Sequence, residues 1–291
     1  MHTSARRVAV VLLAGLALGS GGCAGRLTHA EPRLPINPAP DPIPTSAPPP
    51  ALETTDVVPA LDPATVVAAV RSVEPRAEVG ALVVDRTSGT ELLAIEPDRQ
   101  FRSASLAKLL MAIDALERGA DPKTRKQISV MLALSDDDIA NTLWVAGGGP
   151  MIITRTAGRL RLAGTHPPKL PNRWGDVLLT AHDVASIYEH VLTGLPDEDR
   201  ELIVDALARA PRVAKDGFDQ YFGIPDGLGA RAAIKQGWSN SPTDLVIHTS
   251  GLLGEGWRYV VVLLTEHPLR VPVRKATASV TAGAKALSSL F

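Results

Sequence analysis

The chain has a single cysteine, Cys23, among its 291 residues, so no disulfide forms within it. A thiolate metal cluster is excluded for the same reason. The seven histidines are scattered, with no His-x-x-x-His pair, and no metal or cofactor is expected. An excess of charge is missing as well: 30 basic residues stand against 31 acidic ones, a formal net charge of −1. That balance gives no reason to expect nucleic acid or an anionic membrane surface as a partner. No internal repeat is visible. What remains is 45% hydrophobic and 21% charged residues, enough for a sizeable core in one or two domains.

The N-terminus reads as a segment apart from the fold. "MHTSARR" is basic, "VAVVLLAGLALGS" is apolar but too short to span a bilayer comfortably, and "GGC" is a run of small residues. This is the layout of an export signal over residues 1–22. A lone cysteine directly after such a core resembles a bacterial lipobox, which implies lipidation of Cys23 and an anchor on the outer face of the cell membrane. Ser20 stands where a lipobox usually has an aliphatic residue. The alternative is ordinary secretion with an unmodified cysteine. Eleven of the 24 prolines fall between Pro32 and Pro63, so residues 23–61 read as an extended tether that cannot bury enough apolar surface to fold.

A globular domain is expected over residues 62–291. Asp62 with Pro63 signals a helix N-terminus. "VGALVVD" and "TELLAIE", separated by "RTSG", read as a hairpin. A helix opening at Ser105 carries Leu106, Leu109, Leu110, Ile113 and Leu116 at helical spacing. "ISVMLAL", "IANTLWVA", "TAHDVASIYEHVL" with a Thr180/Asp183 capping pair, and "DEDRELIVDALARA" follow as helices. "ARAAIKQG", "TDLVIHTS" and "RYVVVLLTE" read as strands, and "VRKATASVTAGAKALSSLF" as a closing helix. Strands segregated to the two ends, around a helical block, argue for an α+β fold with an antiparallel sheet and a cleft where the parts meet.

Three short elements appear in order: Ser105-x-x-Lys108, Ser135-Asp136-Asp137, and Lys235-Gln236-Gly237 at the end of a strand. Together they resemble the signatures of the serine β-lactamase and penicillin-binding protein superfamily, most closely class A β-lactamases, from about Val79 to the C-terminus. More loosely, the chain resembles alanine-rich mycobacterial lipoproteins with this domain. The resemblance implies a five-stranded antiparallel sheet flanked by helices, plus a helical lobe. That lobe must be reduced here, because thirty residues separate Ser105 from Ser135, markedly fewer than in typical class A enzymes.

The chemistry fits the spacing. A serine hydroxyl needs a neighbouring base, and positions i and i+3 of a helix share a face, so Lys108 can reach Ser105. Lys108 acts as a base only if its pKa falls, through burial or a second cation. The resemblance makes that cation Lys235. It also makes Ser135 the proton shuttle to the leaving nitrogen, and the backbone amides of Ser105 and Trp238 the oxyanion donors. Such donors typically contribute about 3 to 4 kcal/mol each.

The departures are as informative. Gln236 replaces a threonine that grips the substrate carboxylate; its amide can still donate a hydrogen bond, with Gly237 and Ser239 beside it, so substrate binding is expected to be altered and not necessarily lost. Asp137 replaces an asparagine that contacts substrate and lysine, and a carboxylate there would repel an acidic ligand or hold Lys108 protonated. Class A enzymes use a loop glutamate to activate water for deacylation. From Ile139 to His182 the only carboxylate is Asp176, within "THPPKLPNRWGD". Asp176 is either a substitute base or a surface or capping aspartate, and His166 reads as a surface histidine.

Two functions are therefore open. One is serine acyl transfer or hydrolysis on a peptide or amide, cell-wall related and peptidoglycan-like, with weak or no β-lactamase turnover. The other is a non-catalytic relative that binds wall components. A monomer is expected.

Overall fold

The computed structural model describes residues 61–291; the expected signal segment, Cys23 and the tether up to residue 60 lie outside the described residues. Asp62 accepts a hydrogen bond from the Ala64 amide at 2.9 Å, and helix α1 (Pro63–Val73) starts with proline at its first position. Strands β1 (Glu78–Asp85) and β2 (Thr90–Ile95) form the expected hairpin, turning over Gly89 at φ +71°. A two-residue strand, β3 (Phe101–Arg102), leads into a 3-10 turn over Ala104–Leu106 and helix α2 (Ala107–Glu117). Helices α3 (Pro122–Leu134), α4 (Asp137–Ala146) and α5 (Pro150–Leu160) follow. Strand β4 (Leu178–Leu179) pairs with β3, and helices α6 (Ala181–Thr193), α7 (Asp197–Ala208) and the short α8 (Ile224–Leu228) complete the middle block. The chain closes with β5 (Ala232–Asn240), β6 (Asp244–Leu253), β7 (Tyr259–Pro268) and helix α9 (Val273–Ala286).

The main sheet has the order β2-β1-β7-β6-β5, with every neighbour antiparallel. It separates two cores. Val260, Val262 and Leu264 of β7 pack with α2 and the helical block, while Val261 and Leu263 pack with α1 and α9 on the other face. Because both faces are covered, β7 reads in sequence as a continuous apolar run and not as an alternation. Helices α1 and α9 approach closely at Gly283, where a Cβ would come within 2.6 Å of Val70 Cγ2.

Helix α2 runs through the centre of the helical block and is buried from Ala107 to Leu116. A helix apolar on all sides belongs in an interior. Its buried Asp114 is satisfied by Arg155 of α5 through two hydrogen bonds, at 2.9 and 3.0 Å, and by Arg118 at 3.0 Å.

Several features differ from the sequence reading, among them the short β3, β4 and α8, which carry no signal there. Helix α3 begins at Pro122 instead of Ile128, because Asp121 caps it by accepting from the Thr124 amide at 2.7 Å. Helix α5 is not legible in sequence: three glycines precede it, and the β-branched Ile152, Ile153, Thr154 and Thr156 favour strand. Burial of Ile152, Ile153 and Thr156, with the Arg155–Asp114 pair, overrides that preference. Lys235 lies inside β5 and not at its end.

Ile113 of α2 is fully buried in the larger core. Ile113→Ala is expected to destabilise the domain by about 2–5 kcal/mol, measured as a fall in the urea midpoint at unchanged slope.

Candidate active site

The 3-10 turn that carries Ser105 is entered through Ala104 at φ +45°. This left-handed conformation is costly for a residue with a Cβ, typically about 1–3 kcal/mol, and such strain collects at functional sites. Strand β3, just before the turn, is tied down by His248 of β6. The His248 ring donates from Nε2 to the Arg102 carbonyl at 2.7 Å and accepts the Thr265 amide at Nδ1, 3.2 Å away. Gly237 of β5 lets that strand pass close to the turn, since a Cβ there would lie 3.1 Å from the Ser103 carbonyl oxygen.

Ser135 closes α3 as a left-handed C-cap at φ +54°, ψ +38°. Asp136 then caps α4, accepting the Asp138 and Ile139 amides at 2.9 and 3.0 Å. This junction aims Ser135 and Asp137 at the first turn of α2. Lys108 Nζ lies 2.8 Å from Ser105 Oγ, 2.8 Å from the Ser135 carbonyl oxygen, 3.1 Å from Ser135 Oγ and 2.6 Å from Asp137 Oδ1. Lys235 Nζ reaches the same Ser135 Oγ at 3.0 Å and the Gln236 carbonyl oxygen at 3.0 Å. Ser105, Lys108, Ser135 and Lys235 thus form one hydrogen-bonded chain.

Both lysines are buried, and burial lowers the pKa of each. For Lys108 the Asp137 carboxylate opposes that shift. Lys235 has no ion-pair partner among the described residues, and the charge on Lys108 adds to burial in pushing it well down. The sequence suggests Lys235 as the cation that lowers Lys108. In the structure burial leads in lowering both lysines, the Asp137 carboxylate opposes it at Lys108, and the charge on Lys108 adds to it at Lys235.

In front of Ser105 lies an open cleft of about 260 Å³, lined among others by Asp137, Asn172, Trp174, Asp176, Trp238 and Ser239. Trp238 lines the same cleft as Ser105 and lies on the edge strand of the sheet. Its indole stacks on Phe218 at 4.4 Å and donates to Asp216 Oδ2 at 3.0 Å. Gln236 and Gly237 do not line the cleft. The Gln236 side chain is buried on the other side of β5, where Nε2 donates to the carbonyls of Gln220 and Phe222 at 2.8 and 2.6 Å. Its expected role in gripping a substrate carboxylate is corrected accordingly: the amide holds the 220–222 backbone.

Asp176 stands on the cleft wall, but both its oxygens are engaged by guanidinium groups, Arg102 at 3.3 Å and Arg173 at 2.5 Å. His166 is exposed outside the cleft and bridges to Leu178 through its backbone. Sequence reasoning missed Asn172, Arg173, Trp174 and Asp216. The first three sit in the "NRWGD" stretch, whose only signal is its place in a loop between helices.

The chain has the fold of class A β-lactamases and penicillin-binding proteins. It is similar to the β-lactamase of Streptomyces albus G at 17% identity, TM-score 0.63, over 78% of this chain and 97% of that one. It is similar also to a Chitinophaga pinensis β-lactamase at 12% identity, TM-score 0.62, over 77% and 97%. A single-residue mutant of the penicillin-binding protein PBP-A, seen as an acyl-enzyme with penicillin G, matches at 17% identity, TM-score 0.60, over 79% and 97%. No protein-family model matches. The chain belongs to the family of LppW, a protein named as a lipoprotein in Mycobacterium tuberculosis and Mycobacterium bovis. It is 34% identical to LppW over 212 residues, covering 69% of this chain and 67% of the relative.

His248 yields a pH prediction. Burial pushes its pKa down to about 4, so the unfolded chain binds a proton that the folded one refuses. Stability is complete above the ordinary histidine value near 6.5 and is lost as pH falls from there toward 4, by about 3 kcal/mol over the interval. His248→Gln should flatten that slope in urea titrations at stepped pH, while lowering stability at pH 7.

Proposed function

We propose that this chain is an exported serine acyl hydrolase or transferase, acting on a peptide or amide substrate of the cell wall and anchored by lipid at Cys23. The observation that carries the reading is the contact between Lys108 Nζ and Ser105 Oγ at 2.8 Å, with Ser135 Oγ held between Lys108 and Lys235. Ser105 Oγ attacks the carbonyl carbon and passes its proton to a neutral Lys108. The oxyanion is received by the backbone amides of Ser105 and Trp238. Ser135 relays a proton to the leaving nitrogen, the C–N bond breaks, and an ester remains on Ser105. The name of the LppW relatives supports the lipid anchor.

A second reading is favoured by one specific contact. Asp137 holds Lys108 at 2.6 Å and stabilises the form that cannot accept a proton. With Gln236 turned away from the cleft, a protein that binds wall peptides without acylation is the alternative.

Labelling separates the two. A fluorescent penicillin should mark the wild-type chain at high concentration, and Ser105→Ala should abolish the mark. Steady-state turnover of nitrocefin should be negligible. Asp137→Asn removes the group that favours the Lys108 ammonium, so the acidic limb of the labelling rate should move to lower pH. An unlabelled wild type under all conditions supports the binder.

The anchor has its own test. Cys23→Ala should move the protein from the membrane fraction to the soluble one in a native host. A wild-type protein already fully soluble would refute the anchor.

A further inference from the structure

The wall of the cleft beside Lys108 is an indole. Trp174 places its ring 4.9 Å from Lys108 Nζ and donates its N–H to Asn141 Oδ1 of α4 at 2.8 Å. The stretch around it is pinned at several points. Trp144 Nε1 donates to the Pro171 carbonyl at 2.8 Å, the Ser103 amide to the Val177 carbonyl at 2.7 Å, and Asp176 is tied to Arg102 and Arg173.

Hydrolysis of an ester on Ser105 needs a water beside the acyl carbon. Its oxygen forms the new C–O bond, the bond from carbon to Oγ breaks, and one water proton reaches Ser105 Oγ by way of a base. Such a water must be oriented by an acceptor. Indole has no acceptor, and its one donor is already spent on Asn141. On the remaining sides Lys108 Nζ is enclosed by oxygens of Ser105, Ser135 and Asp137.

We propose that Trp174 is a positioning residue that sets the lifetime of the acyl-enzyme, by filling with an apolar ring the space beside Lys108 that a hydrolytic water would occupy. The inference rests on the acylating reading of Ser105. It assigns the slow step to a wall that keeps water out, in addition to the lack of a free loop carboxylate. Trp174→Ala opens the space and lets Lys108 serve the water as base. Trp174→Phe keeps it closed. Asn141→Ala frees the indole N–H and loosens the ring without removing it.

The test uses the full chain acylated with penicillin G. Excess reagent is removed, and the loss of adduct is followed by intact-protein mass spectrometry. That rate does not depend on how fast the adduct formed. Trp174→Ala is expected to shed the adduct at least about tenfold faster than wild type, the low end of what an added general base supplies being about a hundredfold. Trp174→Phe should stay within about threefold of wild type, and Asn141→Ala should fall between. Local damage to the site predicts slower loss, not faster, so acceleration with rescue by phenylalanine separates the two. Adduct lifetimes within twofold in Trp174→Ala and Asn141→Ala, or equal acceleration in the alanine and phenylalanine forms, overturn the role of Trp174 and leave acylation standing. No adduct on the wild type under any condition overturns the acylating reading and this inference with it. Should Trp174→Ala fail to fold, the Asn141→Ala and Trp174→Phe lifetimes decide alone.

Discussion

An ammonium group inside a protein is costly: even after relaxation its desolvation amounts to several kcal/mol. Lys108 has no exposed surface, and its charge is tolerable only because four oxygen contacts from three residues surround Nζ. Much of the helical block is arranged to deliver those oxygens. Ser135 supplies two of them from a left-handed C-cap, and Asp137 supplies one from the first turn of the next helix. Ser105 supplies the fourth from a turn entered through the strained Ala104. Helix α2, apolar on every side, fixes the lysine in space, and the Asp114–Arg155 pair fixes α2 against α5. The chain thus spends stability at one point and recovers it in packing around that point.

Lys235 shows the consequence of a second buried ammonium nearby. It shares Ser135 Oγ with Lys108, and the two charges repel. Asp137 beside Lys108 opposes the loss of its proton, whereas at Lys235 burial and the charge on Lys108 act together to weaken the hold on its proton. Ser135 Oγ, between the two, accepts a hydrogen bond from each. The same carboxylate that makes the burial of Lys108 tolerable also opposes its use as a base.

Local rules made much of this visible in the sequence. The Asp62–Pro63 cap, the β1–β2 hairpin and the Thr180 cap of α6 each carry a signal within a few residues and stand where they were read, and the three late strands form in the order read, each running two or three residues further at its C-terminal end. The spacing of Ser105 and Lys108 is likewise a helical fact. What stayed hidden depends on tertiary context. Helix α5 forms against its own β-branched preference because Asp114 and the core require it. The direction of Gln236 is set by strand parity: Lys235 points into the site, so its neighbour points away, and the motif as a string of letters does not say which side faces the cleft. Trp174 lies in a loop with no periodicity, where only the folded chain reveals what an indole covers.

The cleft therefore combines a buried, hydrogen-bonded Ser105–Lys108–Ser135–Lys235 cluster with a rim that carries a carboxylate. Asp137 is mostly exposed, with 63% of its side chain open to water. Its hold on Lys108 is therefore screened on the solvent side and is weaker than a fully enclosed pair of the same length. A ligand that donates a hydrogen bond to Asp137 would compete with Lys108 for the carboxylate. A ligand that merely displaces water would strengthen the ion pair instead, because the local dielectric falls. The same contact thus acts in opposite directions according to what the ligand presents at Asp137: a donor there releases Lys108 toward the neutral form, and an apolar or anionic group there locks it.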